Sequence, residues 1–395
     1  MAEEFVNWSG SMRFTPRVIE QPINGQDIQK LIRKSLSQKK NIRIVGAGHS
    51  STPLVKTNET LIDQGHMKGM VSYDTKQNRV TFLPGTNIEE SGEMLMKLRL
   101  NMHNTGDVDY QNLAGAFGTG THGSGKTLPN LSAMMVGCKL VDGNGEMHSF
   151  SVENDPEMIQ ALRVSLGALG FLTEVTIQAL PAEKYTRDEY CTHISTCMEH
   201  LNELIDNNRM FDFYWYPRSD EAKLRLCNPV GEGMQNLDFA RIDKQEKGWL
   251  YKILPKKRED KFDEMEYAIP IDAGPECFRE VRKRVKSKHR QHVGWRVLYR
   301  TVAADDAFLS TFCNRDSVTI AVLQNNQLDH KKYFDDMEPV FRDFGGRPHW
   351  GKKHSLQAKD LAPLYPDWER FLQIRKEMDP QGIFLNDYLK QLFGL

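Results

Sequence analysis

The sequence lacks any apolar run of about 18 residues, the length a helix needs to cross a bilayer, and so predicts no membrane span. It also lacks net charge: 52 basic residues against 53 acidic ones leave −1. That excludes the large basic surplus with which proteins hold nucleic acid or an anionic membrane surface. Cysteine is sparse. The six, at Cys138, Cys191, Cys197, Cys227, Cys277 and Cys313, form no C-x-x-C and have neither zinc-site nor disulfide-framework spacing. Free thiols, no metal and a cytoplasmic location are the expectations. The start, Met1-Ala2-Glu3-Glu4-Phe5, has no basic region followed by an apolar one, so no secretory leader is read there. No internal repeat or low-complexity tract is present.

What is there is ordinary soluble-protein material, 39% hydrophobic and 27% charged, over 395 residues. That length exceeds one simple core, so two domains are expected. The first half alternates helix and strand signals. Asn24 to Lys40 opens on turn residues and places Ile28, Leu31, Ile32 and Leu36 at helical spacing. Ile42 to Val45 and Arg79 to Leu83 read as strands, Ile88 to Leu98 as a helix. Asp155-Pro156 supplies an N-cap and a first-turn proline for a helix towards Leu166, and Phe171 to Leu180 alternates like a strand. The second half holds five of the six tryptophans and fewer glycines. Strands are predicted over Phe211 to Tyr216, Val293 to Thr301 and Ser317 to Leu323, with an amphipathic helix over Phe278 to Gln291. Its basic cluster (Arg279, Arg282, Lys283, Arg284, Lys286, Lys288, Arg290) reads as a solvated helix face, given the balanced total charge. The fold class is α+β, with domains at 1–182 and 183–395 and a C-terminal segment, about 345–395, returning to the first.

Two glycine-rich segments carry the chemistry. Gly46-Ala47-Gly48-His49-Ser50-Ser51 follows a strand directly, and such glycines let backbone N–H groups turn towards a phosphate. Ser51 stands where a dinucleotide fingerprint has its third glycine, so this is not that motif; a structural turn explains it equally well on its own. The second segment, Asn104 to Gly125, has six glycines in 22 residues and few large apolar side chains. It reads as backbone wrapped closely around a large ligand rather than as core.

Together the segments resemble the FAD-binding domain of the vanillyl-alcohol oxidase/p-cresol methylhydroxylase type, and more narrowly the branch of aldonolactone and alditol oxidases. The branch's G-x-G-H-S stands as Gly46 to Ser50, and its A-G-x-x-x-T-G-T-H-G as Ala114-Gly115-Ala116-Phe117-Gly118-Thr119-Gly120-Thr121-His122-Gly123. A third segment, Gly167-Ala168-Leu169-Gly170-Phe171-Leu172-Thr173-Glu174-Val175-Thr176, matches G-x-L-G-x-(I/L)-T-x-V-T. Pro348-His349-Trp350-Gly351-Lys352 matches P-H-W-x-K, and Asp379 to Asn386 matches D-P-x-x-x-F-x-N. The resemblance implies a two-domain flavoprotein, with a substrate domain built on an antiparallel sheet flanked by helices. It implies FAD bonded covalently to His49 and held by these segments, with Asp107, Gly170, Val175, His349 and Asn386 among the cofactor residues. The partners it implies are a small hydroxylated substrate and O2; the oligomeric state stays open.

Oxidising an alcohol with flavin leaves negative charge at the pyrimidine end of the ring, where fixed cations lower the barrier. The resemblance assigns these roles to Lys352 and to Arg300, the latter within Arg300-Thr301-Val302-Ala303-Ala304-Asp305-Asp306. Relatives carry a glutamate two residues before that arginine; here it is Leu298. The change removes an acceptor for substrate hydroxyls, and Gln324, Asn326, Asp107 or Tyr299 are the candidates to replace it. The strand from Val318 to Gln324 is also more apolar than its alditol-oxidase counterpart. In lactone-oxidising relatives a small residue at the place of Gly106 leaves room for O2 beside the flavin, so the resemblance implies an oxidase making H2O2. The expected activity is oxidation of a C–OH on a sugar-derived lactone or polyol. A less polar alcohol or hemiacetal, and a dehydrogenase coupled to a protein partner, are the alternatives. An NAD(P)H reductase lacks its second glycine fingerprint.

Overall fold

The computed structural model describes residues 3–254 and 258–395; Met1 and Ala2 of the acidic start lie outside them. Near the N-terminus, Val18–Glu20, Thr60–Asp63 and Ile42–Val45 pair in parallel in that spatial order. The helix Gly25–Ser37 carries the chain across from Val18–Glu20 to Ile42–Val45, the two outer strands, and Thr60–Asp63 then inserts between them. Its Asn24 side chain accepts from the Asp27 N–H, and Ile28 and Ile32 are completely buried one turn apart. A five-stranded antiparallel sheet follows, in the order Met147–Ser151, Met135–Val141, Phe171–Gln178, Arg79–Phe82, Met70–Asp74. The helix Ile88–Lys97 opens on a capping box between Asn87 and Glu90.

The described strands from Lys184 to Pro348 join one eight-stranded antiparallel sheet. Its centre runs Glu221–Pro229, Met210–Tyr216, Val297–Val302, Ser317–Asn325, Phe262–Pro270. The two-residue alternation of strands gives this sheet two different faces. Phe213, Trp215, Tyr299, Ile320 and Tyr267 point to one side, where they pack with Phe278, Val281 and Val285 of the helical layer. Asp212, Tyr214, Leu298, Arg300, Ala321, Glu264 and Glu266 occupy the alternate positions, and most of them line cavities towards the N-terminal half.

Three sequence expectations shift at their boundaries. The helix over 278–291 begins earlier, as Gly274–Arg284, with Pro275 in its first turn, and its tail Val285–His289 winds in wider π geometry. Asp155 gives no side-chain cap to the helix Pro156–Arg163; its carboxylate accepts from the Ser151 N–H instead. The strand read from Val293 starts at Val297, because the Gly294 N–H goes to the Gln324 side chain at 3.0 Å and not to a strand neighbour. The basic cluster is a partnered surface: Arg279 pairs with Glu276, Arg282 and Lys286 with Asp220, Lys288 with Asp336. All six cysteines are free and buried, and no described helix is long and apolar enough to cross a membrane.

The ends of the chain meet at Arg43. Its buried guanidinium donates to the carbonyls of Leu54 (2.7 Å), Leu166 (2.8 Å), Gly167 (3.2 Å) and Phe384. Burial lowers its pKa to about 9, with Asp379 opposing. Asn386 caps the helix Asp387–Phe393 and donates to the carbonyls of Pro53 and Lys56, each at 2.8 Å.

Candidate active site

A long groove runs through the N-terminal half and opens into a cavity under the eight-stranded sheet. Counting space open to solvent, the groove spans about 890 Å³ and the cavity about 710 Å³. Gly46, Ala47, Gly48, His49 and Ser50 form one wall of the groove; Ala114, Gly115, Gly118 and Thr119 form the other, and Gly170 lies at one end. Backbone needs dictate the glycines. Gly48 has φ +63°, a left-handed conformation that side chains disfavour, and a Cβ on Gly46 would stand 2.4 Å from Asn112 Oδ1. A Cβ on Gly115 or Gly118 would meet no atom within 4 Å, so these two residues keep bare backbone facing the groove. Gln111 Oε1, which faces both groove and cavity, is buried without a partner. A cleft of this size, lined by glycine backbone and holding an unsatisfied acceptor, fits a dinucleotide.

His49 stands where groove and cavity join, lining both. Its ring lies 4.8 Å from that of Trp8, and its Nδ1 meets the Tyr110 hydroxyl at 3.1 Å. Burial first, then the nearby Lys352 charge, lower its pKa to about 3, so the imidazole is neutral at physiological pH. Thr121, His122, Gly106, Asp107, His349, Arg300 and Lys352 all line the cavity. His49 and Lys352, 303 positions apart, thus converge on one space.

Charge in the cavity is divided into two groups. In the first, Asp107 accepts from the Tyr214 hydroxyl at 2.7 Å and pairs with Arg225 (3.0 Å), Arg258 (3.2 Å) and Arg300. Burial works to raise the Asp107 pKa, but Arg225, Arg300 and Arg258 together hold it well below the usual carboxylate range. In the second, Lys352 pairs with Glu264, and His122 Nε2 lies 3.3 Å from Glu266 with both side chains only 2% exposed. Burial again pushes the Glu266 pKa up, and His122, Lys352 and His349 overcome it. Burial lowers His349 to about 3, and its Nδ1 accepts from the Gly351 N–H at 3.1 Å. Atoms of His122, Glu266 and His349 lie within 4.8 Å of one another, the one grouping of metal-binding composition among the described residues.

Two models of known families cover this chain: an FAD binding domain over residues 16–151, and D-arabinono-1,4-lactone oxidase over 175–244 and 228–392. The chain belongs to the D-arabinono-1,4-lactone oxidase family. It is 32% identical to an L-gulono-1,4-lactone dehydrogenase of Mycobacterium tuberculosis, across the whole of both chains. It is 25% identical to the L-gulonolactone oxidase of Bos taurus, over 99% of this chain and 98% of that one. Among solved structures, the cholesterol oxidase of B. sterolicum superposes with a TM-score of 0.88 at 16% identity, covering 100% of this chain and 97% of that one. At that identity the likeness speaks for the fold alone: a two-domain FAD-binding oxidase architecture. The chain is therefore an FAD-dependent oxidoreductase of the aldonolactone oxidase family, as its motifs implied.

Some of the residues singled out in the sequence lie elsewhere. Val175 is completely buried in the sheet core, paired with Phe82 and Cys138, and lines neither groove nor cavity. Gly120 holds a turn at φ +70°, Gly123 faces a smaller cavity behind Asp107, and Asn386 acts as the cap described above. Of the four proposed replacements for the missing glutamate, only Asp107 reaches the cavity. Tyr299 stacks on Phe213 on the opposite sheet face, Gln324 is occupied by Gly294 and His292, and Asn326 donates to the Ser9 carbonyl. Leu298 does line the cavity, beside Leu323 and Phe262. The stretch from Asn104 to Gly125 is not coreless either: Leu113 and Phe117 of its short helix Leu113–Gly118 are completely buried. Glu264, Glu266, Tyr214 and Arg258 were missed. Glu264-x-Glu266, two carboxylates at strand spacing around Met265, was the visible signal.

Proposed function

We propose that this protein oxidises a C–OH group of a sugar-derived lactone, with FAD bonded to His49 and O2 taking the electrons as H2O2. The carrying observation is the placing of His49, a neutral imidazole at the junction of groove and cavity with Tyr110 fixing one ring nitrogen. When bound, the flavin supplies the hydride acceptor. Residues 1–182 hold the cofactor and 183–395 cover it, with Gly46 to Ser50, Ala114 to Thr119 and Gly170 as its cradle. Lys352 and Arg300 stand as fixed cations towards the negative charge that develops. Glu264 and Glu266 are acceptors for substrate hydroxyls; Glu264 also keeps the Lys352 ammonium oriented. The partly buried setting of the cavity limits bulk water and strengthens both effects. A cytoplasmic place of action accompanies this reading, in line with six free thiols.

The test has two parts. Denatured, acid-precipitated protein should keep yellow, flavin-fluorescent material, and His49→Ala should lose it. A peroxide-coupled panel of aldonolactones and alditols should find a substrate. A flavin that washes off ends the covalent reading. Substrate-reduced protein that reoxidises slowly in air and quickly with an artificial acceptor ends the oxidase reading in favour of a dehydrogenase. A second reading, a less polar alcohol or hemiacetal, has the apolar cavity wall of Leu298, Leu323 and Phe262 in its favour; steroid-like or aryl alcohols in the same panel decide it.

A further inference from the structure

The Asp107 end of the cavity is not electrically balanced. Four guanidinium groups gather around the Tyr214 ring: Arg225 and Arg296 lie over it, each 4.2 Å from its centroid, and Arg258 donates to its hydroxyl at 3.1 Å. Arg300 completes the set through Asp107. Among the described residues, Asp107 and Asp212 are the carboxylates that pair directly with this set: Asp107 with Arg225, Arg258 and Arg300, Asp212 with Arg225. Arg296 is the cation left over: among the described residues it has no acidic partner, and its buried Nε has no acceptor. The neighbouring Trp295 Nε1 is likewise buried and unpartnered. Arg296 Cζ lies 4.2 Å from the Tyr214 ring centroid and 5.3 Å from that of Trp295, contacts that do not satisfy its N–H donors. Arg296 also borders the outer cleft that Arg218 and Trp295 line, so it stands in the wall between solvent and the cavity. Leu298, where the family resemblance places a glutamate, adds no negative charge to this end.

We infer that the substrate carries an oxyanion, a carboxylate or a phosphate, which Arg296 binds at the cavity mouth while the C–OH to be oxidised lies at the Lys352 end. This deepens the lactone-family reading and rests on it: the substrate class becomes an anionic sugar derivative. Arg218 outside and Arg296 within form a positive approach path that raises the encounter rate of an anion. The guanidinium edge matches a bidentate oxyanion, and the Trp295 N–H adds a third donor.

The experiment uses the flavin-loaded protein and its R296Q and R296K variants. Anaerobic bleaching of the flavin is followed with a neutral aldonolactone, the matching aldonate and its terminal phosphate ester. In wild type an anionic member should have the lower KM, and R296Q should raise that KM roughly 10- to 100-fold, the effect of one charge-assisted hydrogen bond. The neutral lactone should change little, R296K should rescue in part, and added salt should shrink the anion preference. In parallel, malonate and inorganic phosphate are titrated against the oxidised flavin spectrum, which needs no turnover. Saturable binding lost in R296Q supports the inference, and the tighter of the two identifies carboxylate or phosphate. Equal KM values for neutral and anionic sugars in wild type, or an equal loss for both in R296Q, overturn it. If no sugar bleaches the flavin, the proposed activity fails, and the spectral titration still decides whether Arg296 binds an anion.

Discussion

Replacing Asp107 with Asn tests whether one carboxylate organises the arginine end of the cavity. The isosteric change keeps a hydrogen-bond acceptor for the Tyr214 hydroxyl but removes the charge that Arg225, Arg258 and Arg300 share. Arg225 retains Asp212, whereas Arg258 and Arg300 lose their acidic partner among the described residues. Breaking a buried pair costs about 3–5 kcal/mol. Asp107 faces the cavity with its side chain 25% exposed, so the low end, about 3 kcal/mol, applies. Against a total stability of about 5–15 kcal/mol this is large, and over 395 residues it corresponds to a fall in Tm of roughly 4 °C. The pH dependence has a definite sign. A carboxylate whose folded pKa is depressed contributes stability above its unfolded pKa of about 3.9 and loses it as pH falls through the folded value. The gap between wild type and D107N should therefore be constant from about pH 5 to 8 and close only in acid. Thermal unfolding followed by circular dichroism across that range reads both quantities. A loss below about 1 kcal/mol, the size of an ordinary exposed pair, would refute the reasoning.

Four further outcomes follow from the same geometry. Gly106→Ala puts a Cβ 3.3 Å from Thr121 Cγ2 in the cavity wall; rapid-mixing kinetics should show reoxidation by O2 slowed about tenfold or more, about 1.4 kcal/mol of barrier, with flavin reduction little changed. Lys352→Met strips the cavity of a fixed cation and leaves Glu264 unpaired, so anaerobic flavin reduction should slow roughly 10²- to 10³-fold at unchanged FAD content. Tyr110→Phe removes the contact on His49 Nδ1, and the fraction of flavin that survives acid precipitation should fall. Arg43→Met leaves buried carbonyls unsatisfied at about 1–3 kcal/mol each, so the urea midpoint should drop sharply and bound flavin with it.

The flavin side of the molecule could be read from the chain because its demands are backbone demands. Gly48 is held by its φ and Gly46 by clearance from Asn112, while Gly115 and Gly118 leave bare backbone along the groove, and such features leave a linear trace at fixed spacing. The substrate side could not, because its demands are met by pairing across strands. Glu264 comes near Lys352, and Tyr214 near Arg225 and Arg296, only once the sheet register is set. Periodicity found the strands Met210–Tyr216 and Ser317–Asn325 but could not tell which face would be the cavity. That ambiguity made Tyr299 a candidate for the site, when its ring belongs to the core. Val175 lies apart for a related reason: Gly167, Gly170 and Leu172 of its motif line the groove, while Val175, further along the strand, is completely buried in the sheet core.

Arg43 also makes three distant stretches of chain answer to one another. It draws on carbonyls from Leu54, from Leu166 and Gly167, and from Phe384, so segments far apart in sequence share one buried cation. Because Arg43 and Leu166 both line the groove, its floor is a joint between those segments and belongs to no single one of them. Loosening any of the three should loosen the groove, so the stability of the fold and the retention of the flavin are expected to rise and fall together.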